Sequence, residues 1–198
     1  MNIGIFGGTF SPIHNAHLII AAMAREEYNL DRVIFITSGD PPHKRADVSA
    51  TERFNMTRLA IEGNDTFTDD DYEIRSGGKS YTVRTLEYLK EKYPEDKLFF
   101  IIGEDSLSDL TKWYEPERIL QMATLLVFPR ESEGTLKDKI VAAKEIFSGE
   151  ILPIHSPIIG LSSTYIRNRI SDGKTVRYMI SDKVREYIKE HNLYADGD

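Results

Sequence analysis

Short, almost continuously apolar segments alternate along this chain with longer segments of helical periodicity. The apolar segments have the length and composition of strands that are buried on both faces of a sheet. They occupy residues 2–6, 33–37, 98–102, 124–128 and 150–154. The helical segments between them occupy residues 16–28, 50–62, 81–92 and 136–147. This alternation predicts an α/β fold with a doubly wound, mostly parallel sheet.

Weaker signals complete this outline. Residues 69–75 are interpreted as a further strand. Ser49, with Glu52 three residues later, forms a capping box that starts the second helix. Ser181 is a predicted N-cap for one of the C-terminal helices. Because no repeat or linker rich in proline, glycine and serine interrupts the pattern, we expect a single domain over residues 1–198.

The composition excludes several classes of protein. The 198 residues include 40% hydrophobic and 29% charged side chains, which suffices for one buried core. Cysteine is absent, so disulfides, thiolate catalysis and cysteine-based metal sites are excluded. The longest wholly apolar run covers residues 18–24, far short of the roughly 20 residues that a membrane span needs. No basic segment typical of a signal peptide opens the chain. We therefore expect a cytoplasmic protein that does not bind membranes.

The formal net charge of −7 is spread over both halves of the chain, without a basic tail. This balance argues against a nucleic-acid partner, which would favour a basic surface. An anionic ligand must then be bound by a local cluster of donors. In doubly wound sheets such a cluster is expected outside the carboxyl ends of the strands.

The loop after the first predicted strand carries the strongest signal, Gly-Gly-Thr-Phe-Ser-Pro-Ile-His-Asn-Ala-His at residues 7–17. Gly7 and Gly8 allow a tight turn and close approach of a ligand. The following helix start offers N–H groups and partial positive charge to a phosphate. His14 and His17 are spaced to lie on one helix face and to donate to the same phosphate chain. A zinc site is the alternative, but no further ligands are evident nearby.

Three later loops follow the same pattern. In residues 38–45, two prolines stiffen a basic run of His43, Lys44 and Arg45 that suits a phosphate clamp or, alternatively, a solvated turn. Asp105 follows a strand and could accept hydrogen bonds from a ribose or cap a helix. Trp113 could stack on a flat ring or pack in the core.

Residues 160–167 read Gly-Leu-Ser-Ser-Thr-Tyr-Ile-Arg and form the last of these loops. Hydroxyl side chains begin a predicted helix, and Arg167 follows one turn later. The arrangement suits a second phosphate segment, although an ordinary N-cap with a surface arginine has the same sequence. No P-loop, dinucleotide fingerprint or nucleophile elbow is present. The chemistry therefore points to phosphate positioning without a covalent protein intermediate.

Together these motifs resemble a known family. Residues 7–17 resemble the N-terminal signature of the HxGH nucleotidyltransferases, and residues 161–167 their C-terminal signature. With the segments Pro-Pro-His-Lys, Ser-Tyr-Thr-Val and Gly-Glu-Asp…Lys-Trp, they are similar in order and spacing to the bacterial nicotinate mononucleotide adenylyltransferases. The resemblance extends from residue 1 to about residue 190.

The resemblance implies a Rossmann-like nucleotidyltransferase fold and transfer of AMP from ATP to nicotinate mononucleotide. The products would be nicotinate adenine dinucleotide (deamido-NAD) and pyrophosphate, in NAD biosynthesis. The 5′-phosphate of the mononucleotide would attack the α-phosphorus of ATP in line. Mg²⁺, held mainly by the ATP phosphates and not by protein ligands, would offset charge on the leaving group.

The resemblance also implies roles for individual residues. The implied catalytic residues are His14, His17, Lys44 and Arg167. The implied ATP-binding residues are Gly7, Gly8, Thr9, Phe10, Ser162, Ser163 and Thr164. The implied nicotinate mononucleotide-binding residues are Thr82, Asp105, Asp109 and Trp113. Against bound phosphate, the pKa values of the two histidines are expected to rise.

The chain departs from the family pattern at Ser11, where aspartate is usual, and at Ala16, where glycine is usual. Ser11 can still cap a turn, and Ala16 adds one methyl group where the helix start approaches the nucleotide. Two alternatives stay open: a related adenylyltransferase that uses nicotinamide mononucleotide or another phosphorylated acceptor, and a non-catalytic nucleotide-binding module. Assembly into a homo-oligomer is also open.

Overall fold

The computed structural model describes residues 1–41, 48–130 and 133–195, and its centre is one parallel sheet. The strands are β1 (Asn2–Gly8), β2 (Arg32–Thr37), β3 (Phe67–Asp70), β4 (Lys97–Gly103), β5 (Ala123–Phe128) and β6 (Ile151–Pro153). Their order in the sheet is β3-β2-β1-β4-β5-β6, and each neighbouring pair is parallel. This is the strand order of a Rossmann-like doubly wound fold. The predicted fold class is confirmed.

Helices connect the strands and complete the C-terminal part. They are α1 (Asn15–Glu27), α2 (Ala50–Ile61), α3 (Tyr72–Ser76), α4 (Thr82–Lys92), α5 (Glu104–Ser108), α6 (Pro116–Met122), α7 (Glu133–Ile146), α8 (Ser163–Ser171) and α9 (Asp182–Glu190). The hydroxyls of Ser49 and Ser181 accept hydrogen bonds from backbone N–H groups of the first turn, at 3.2 and 3.3 Å. Both predicted N-caps are therefore confirmed. In the described part of the chain, no helix is long and apolar enough to cross a membrane.

Two local predictions need correction. The strand interpreted at residues 69–75 covers Phe67–Asp70 instead, and residues 72–76 are helical. The Asp70 carboxylate accepts a hydrogen bond from the Tyr72 N–H at 2.9 Å, which turns the chain out of the sheet. The first strand does not end at residue 6, because Gly7 and Gly8 still pair with β2.

The sheet is covered on both faces because successive strand residues alternate between them. In β2, Ile34 and Ile36 face the core beneath α4, α6 and α7, whereas Val33 and Phe35 face the core beneath α1, α2, α8 and α9. The chain reverses its direction of winding between β1 and β4. The carboxyl ends of these two strands therefore form the crevice in which a doubly wound sheet binds its ligands.

Arg53 of α2 holds the loops on one side of this crevice. Its side chain is only 1% exposed. The guanidinium donates to the carbonyl oxygens of Thr9 at 2.6 Å, Gly39 at 3.2 Å and Val48 at 3.4 Å. Burial lowers the pKa of Arg53 from its ordinary value. A single buried cation thus joins the loops after β1 and β2 to the start of α2.

Replacing Arg53 tests how much this cation contributes to the stability of the fold. Arg53→Met keeps the aliphatic stem but leaves three backbone carbonyls without their donor. We expect the free energy of unfolding, measured by urea denaturation, to fall by about 3 kcal/mol. Arg58→Met on the same helix is the control, because Arg58 is 63% exposed, and we expect a change below about 0.5 kcal/mol. Equal losses in the two variants would contradict this role of Arg53.

Candidate active site

A small cleft opens at the carboxyl edge of the sheet. The start of α1 lines it with His14, Ala16, His17 and Ile20. Residues 128–130, which follow β5, line the opposite side together with Pro157 and Ile159. The cleft therefore lies where the topology predicts a ligand, and both predicted histidines lie in its wall. The methyl group of Ala16, at the position where the family pattern has glycine, also belongs to this wall.

His14 and His17 form a stacked pair at the start of α1. Their ring centroids are 3.6 Å apart and the planes differ by 18°. The backbone N–H of His14 donates a hydrogen bond to Nδ1 of the His17 ring at 3.2 Å. A neutral His17 therefore carries its proton on Nε2. The rings of Phe6 and Phe10 meet His17 edge-on, with centroids at 5.8 and 5.0 Å. The His17 ring is thus packed against three other rings.

Burial determines the charge of this pair. Burial first, and then the positive charge of Arg130, lower the pKa of His14 from 6.5 to about 4. The pKa of His17 is lowered well below 6.5 by burial first, then by His14 and Arg130. Both rings are therefore neutral at pH 7 and can each present one N–H donor. The expected rise of these pKa values against phosphate stays a prediction for the complex.

The first turn of α1 is anchored by the segment that precedes α9. The backbone N–H of Asn15 donates to the carbonyl oxygen of Met179 at 2.8 Å. The side-chain amide of Asn15 donates to the carbonyl oxygen of Tyr178 at 2.7 Å. The backbone N–H of His17 donates to the carbonyl oxygen of His14 at 2.9 Å. These two backbone amides are engaged within the protein. Among the donors of the helix start, the imidazole rings are the ones that line the cleft.

The two signatures meet in space although about 150 residues separate them. The Ser163 hydroxyl donates to the carbonyl oxygen of Pro12 at 2.9 Å. The Arg167 guanidinium donates to the carbonyl oxygen of Ser11 at 3.0 Å and lies 3.5 Å from the Thr164 hydroxyl. Ser162 caps α8 by accepting a hydrogen bond from the Tyr165 N–H at 3.2 Å. The start of α8 thus holds the loop that leads to the histidines.

Ser11, the first departure from the family pattern, has a partner of its own. Its buried hydroxyl lies 3.1 Å from the Tyr194 hydroxyl near the C-terminus. A neutral hydrogen bond between two hydroxyl groups therefore closes the loop at this point. With serine at this position, the loop is held through the Ser11 hydroxyl by Tyr194 and through the Ser11 carbonyl oxygen by Arg167.

The glycines after β1 have a packing role. A Cβ atom on Gly8 would lie 2.7 Å from the ring of Phe10, and one on Gly7 would lie 3.3 Å from the ring of Phe100. The turn itself comes later, where Phe10 adopts a left-handed φ of 47°. Thr9 contributes its carbonyl oxygen to Arg53. The tight turn expected at Gly7 and Gly8 is therefore displaced to Phe10, because β1 continues to Gly8.

A second group of predicted residues surrounds the start of α4. Thr82 is the first residue of this helix. The ring of Tyr81 lies 4.9 Å from the ring of Tyr114, which brings the helix start beside Trp113. Trp113 is half-buried and meets Phe100 edge-to-face at 6.3 Å. The tryptophan therefore packs on the core with one edge while part of its surface stays accessible.

The two predicted aspartates lie on short helical turns after β4. Asp105 is 71% exposed and lies 3.9 Å from Nε of Arg130. The exposed Asp109 carboxylate accepts a hydrogen bond from Lys112 at 2.6 Å. Lys44, together with His43 and Arg45, lies outside the described residues.

Arg130 is a cleft residue that the sequence reasoning missed. It lies two residues after the end of β5, as the predicted loops follow β1, β2 and β4. The Pro129-Arg130 dipeptide at the end of an apolar segment was the available signal. Its guanidinium carbon lies 5.3 Å from the ring centroid of Phe128, which supports it at the cleft.

Comparison with known proteins identifies the family. The family model described as "Cytidylyltransferase-like" matches residues 5–169. A Caldicellulosiruptor saccharolyticus protein named "Probable nicotinate-nucleotide adenylyltransferase" is 43% identical over 198 residues, covering 99% of this chain and 100% of the relative. A Clostridium botulinum protein of the same name is 44% identical over 199 residues, covering 98% and 99%. The chain belongs to the nicotinate-nucleotide adenylyltransferase family.

A solved structure supports the fold of this family member. The Plasmodium falciparum nicotinic acid mononucleotide adenylyltransferase complexed with NaAD superposes with a TM-score of 0.76, covering 98% of this chain and 97% of that one. Its sequence identity is 20%, so this likeness speaks for the fold. The resemblance drawn from the two signatures is confirmed by the curated relatives.

The neutral histidines predict a pH dependence of stability in this adenylyltransferase family member. As the pH falls below 6.5, unfolded chains bind protons on these rings while the folded protein does not until about pH 4. The free energy of unfolding should therefore decline across this window, by about 3 kcal/mol for His14. The measurement is urea denaturation at a series of pH values without nucleotide.

The matched control is the double variant His14→Asn/His17→Asn, which lacks both titrating rings. Its decline between pH 6.5 and 4 should be shallower than that of the unmodified protein. Parallel curves for the two proteins would show that the folded histidines bind protons as readily as the unfolded ones.

Proposed function

We propose that this chain transfers AMP from ATP to nicotinate mononucleotide, releasing pyrophosphate and forming nicotinate adenine dinucleotide. The observation that carries the proposal is the neutral stacked pair of His14 and His17 facing Arg130 across a cleft at the carboxyl edge of the sheet. The names of the curated relatives support the same reaction.

The polyphosphate of ATP would lie along this pair. Two imidazole N–H groups and one guanidinium offer donors for the oxygens on which charge develops as pyrophosphate leaves. These donors are fixed by packing, so little reorganisation accompanies the reaction. The mononucleotide phosphate attacks the α-phosphorus in line, and the protein contributes positioning without a covalent intermediate.

The start of α8 supplies the second part of the ATP site. In our proposal the N-terminal amides of this helix and the side chains of Ser163, Thr164 and Arg167 approach the nucleotide. The same residues hold the carbonyl oxygens of Ser11 and Pro12. The groove formed by residues 7–10 runs beneath both nucleotides. Lys44 completes the cation set of the proposal.

The pyridine ring would lie at the start of α4. The first amides of a helix favour an anion, and the Thr82 end of this 11-residue helix suits the nicotinate carboxylate. Trp113 would stack on the ring. Asp105 would accept hydrogen bonds from a ribose of the mononucleotide, and the backbone around Asp109 would meet the nicotinate carboxylate together with Thr82.

Magnesium belongs to this proposal as a companion of ATP. Among the described residues, no group of three or more histidine, aspartate or glutamate side chains converges in a way that could hold a metal. The donors of the cleft are N–H groups, which suit phosphate oxygens, so the polyphosphate itself would hold the ion. When bound, Mg²⁺ offsets charge on the leaving pyrophosphate.

We also propose a single domain acting in the cytoplasm, where ATP is supplied.

The His17→Ala variant tests the histidine pair. Loss of one fixed donor to the developing charge should lower kcat for pyrophosphate release by about 100-fold. His191→Ala is the control, because this exposed histidine stacks on Tyr187 at the end of α9. We expect its turnover to match the unmodified protein. Unchanged turnover in His17→Ala would remove His17 from the mechanism.

A comparison of two acceptors tests the pyridine site. With ATP and Mg²⁺, pyrophosphate release should be at least about 10-fold more efficient with nicotinate mononucleotide than with the nicotinamide form, because a charged acceptor bonds helix amides more strongly. Preference for the amide would overturn the assignment of Thr82 and Trp113. Release with neither acceptor would overturn the proposed reaction and favour the non-catalytic nucleotide-binding module.

A further inference from the structure

Glu104 is an acidic residue in an unusual place. It follows β4 directly, is the first residue of α5, and its side chain is fully buried. Its neighbour Asp105 is the exposed residue of the two. A buried carboxylate is costly unless each oxygen is hydrogen-bonded or paired with a cation. The hydrogen bonds of Glu104 therefore show which elements its buried carboxylate joins.

Both carboxylate oxygens of Glu104 are engaged with neighbouring elements. Oε2 accepts a hydrogen bond from the backbone N–H of Arg130 at 2.8 Å. Oε1 accepts one from the Lys139 ammonium of α7 at 2.9 Å. A buried ion pair of this kind is weak evidence for stability, because apolar residues often pack as well or better. It does hold the elements that it joins in one relative position.

The element held in this way is the one that carries the cation of the cleft. The backbone of Arg130 is tied to Glu104, and its side chain rests on Phe128. A Cβ atom on Gly103 would lie 3.1 Å from the ring of Phe128 and 3.4 Å from Nε of Arg130, so the glycine leaves room for the ring on which the guanidinium rests. Arg130 and both histidines then line the same cleft.

We propose that Glu104 is a positioning residue, which holds Arg130 through its backbone amide so that the guanidinium meets the polyphosphate beside His14 and His17. The role of the polyphosphate rests on the proposed function. The contacts between Glu104, Arg130 and Lys139 are independent of it. Glu104 itself does not touch the substrate in this proposal and acts through Arg130 alone.

A double-mutant cycle tests the proposal. Glu104→Gln keeps the size of the side chain but removes its charge, Arg130→Ala removes the guanidinium, and a third protein combines both changes. We expect kcat/KM for ATP to fall by about 10-fold in E104Q and by about 100-fold in R130A. The combined variant should be no worse than R130A, because Glu104 acts through Arg130. Losses that multiply would overturn the proposal.

The control separates positioning from stability. Asp70 is another buried carboxylate with a lysine partner, Lys92 at 2.7 Å, and it lies on β3 away from the cleft. Asp70→Asn should lower Tm, as E104Q does, but leave kcat/KM unchanged. If E104Q does not fold, Glu104→Asp retains the charge one methylene short and should show the same dependence on Arg130. Full kcat/KM in the folded variant would overturn the proposal.

Failure of the proposed reaction is recognised separately. If the unmodified protein releases no pyrophosphate with either mononucleotide, the same four proteins are compared by calorimetry for their affinity for ATP alone. E104Q should then weaken ATP binding only where Arg130 is present. Equal affinities in all four proteins would overturn the positioning role.

Discussion

The buried guanidinium of Arg53 is the interaction on which the arrangement of the cleft depends. Three backbone carbonyls, from the loops after β1 and β2 and from the start of α2, converge on one cation. Loops at a sheet edge have no ladder partners, so something else must satisfy and orient them. Arg53 does this for Thr9 in the loop after β1. In the same loop, Arg167 and Ser163 donate to the carbonyl oxygens of Ser11 and Pro12. The histidine pair is placed at the end of a loop that is held at several points.

The cleft differs in charge from the chain as a whole. The chain carries a formal net charge of −7, yet the cleft combines one guanidinium with two neutral imidazoles. Neutral rings donate hydrogen bonds without repelling Arg130, which allows three donors to share a small space. The buried carboxylate of Glu104 sits behind Arg130 and not in the cleft, so it orients the cation without competing with phosphate. The acidic balance of the surface therefore does not oppose the site.

Much of the fold was predictable from residue patterns. Five of the strands were found, because strands buried on both faces form apolar runs. The strand ending at Asp70 was misplaced and α6 was not predicted, because short elements carry little periodicity and are defined by partners elsewhere in the chain. The sequence placed His14 and His17 at one helix start and Ser163 and Arg167 at another, and the structure has both helix starts there. Glu104 was missed because a single glutamate after a strand has no local signature, and Arg130 was missed because the Pro129-Arg130 dipeptide after an apolar segment is a weak one.

The sequence by itself determined the doubly wound α/β architecture, the family and the histidine-bearing side of the cleft, because these follow from local periodicity and from motifs within short segments. Only the tertiary structure decided that the two signatures lie against each other and that Arg130 faces the histidines. It also decided that both histidines are neutral, because their pKa values are set by burial and by the cation across the cleft. Burial and proximity between distant segments are properties of the packed chain, and no local pattern of residues encodes them.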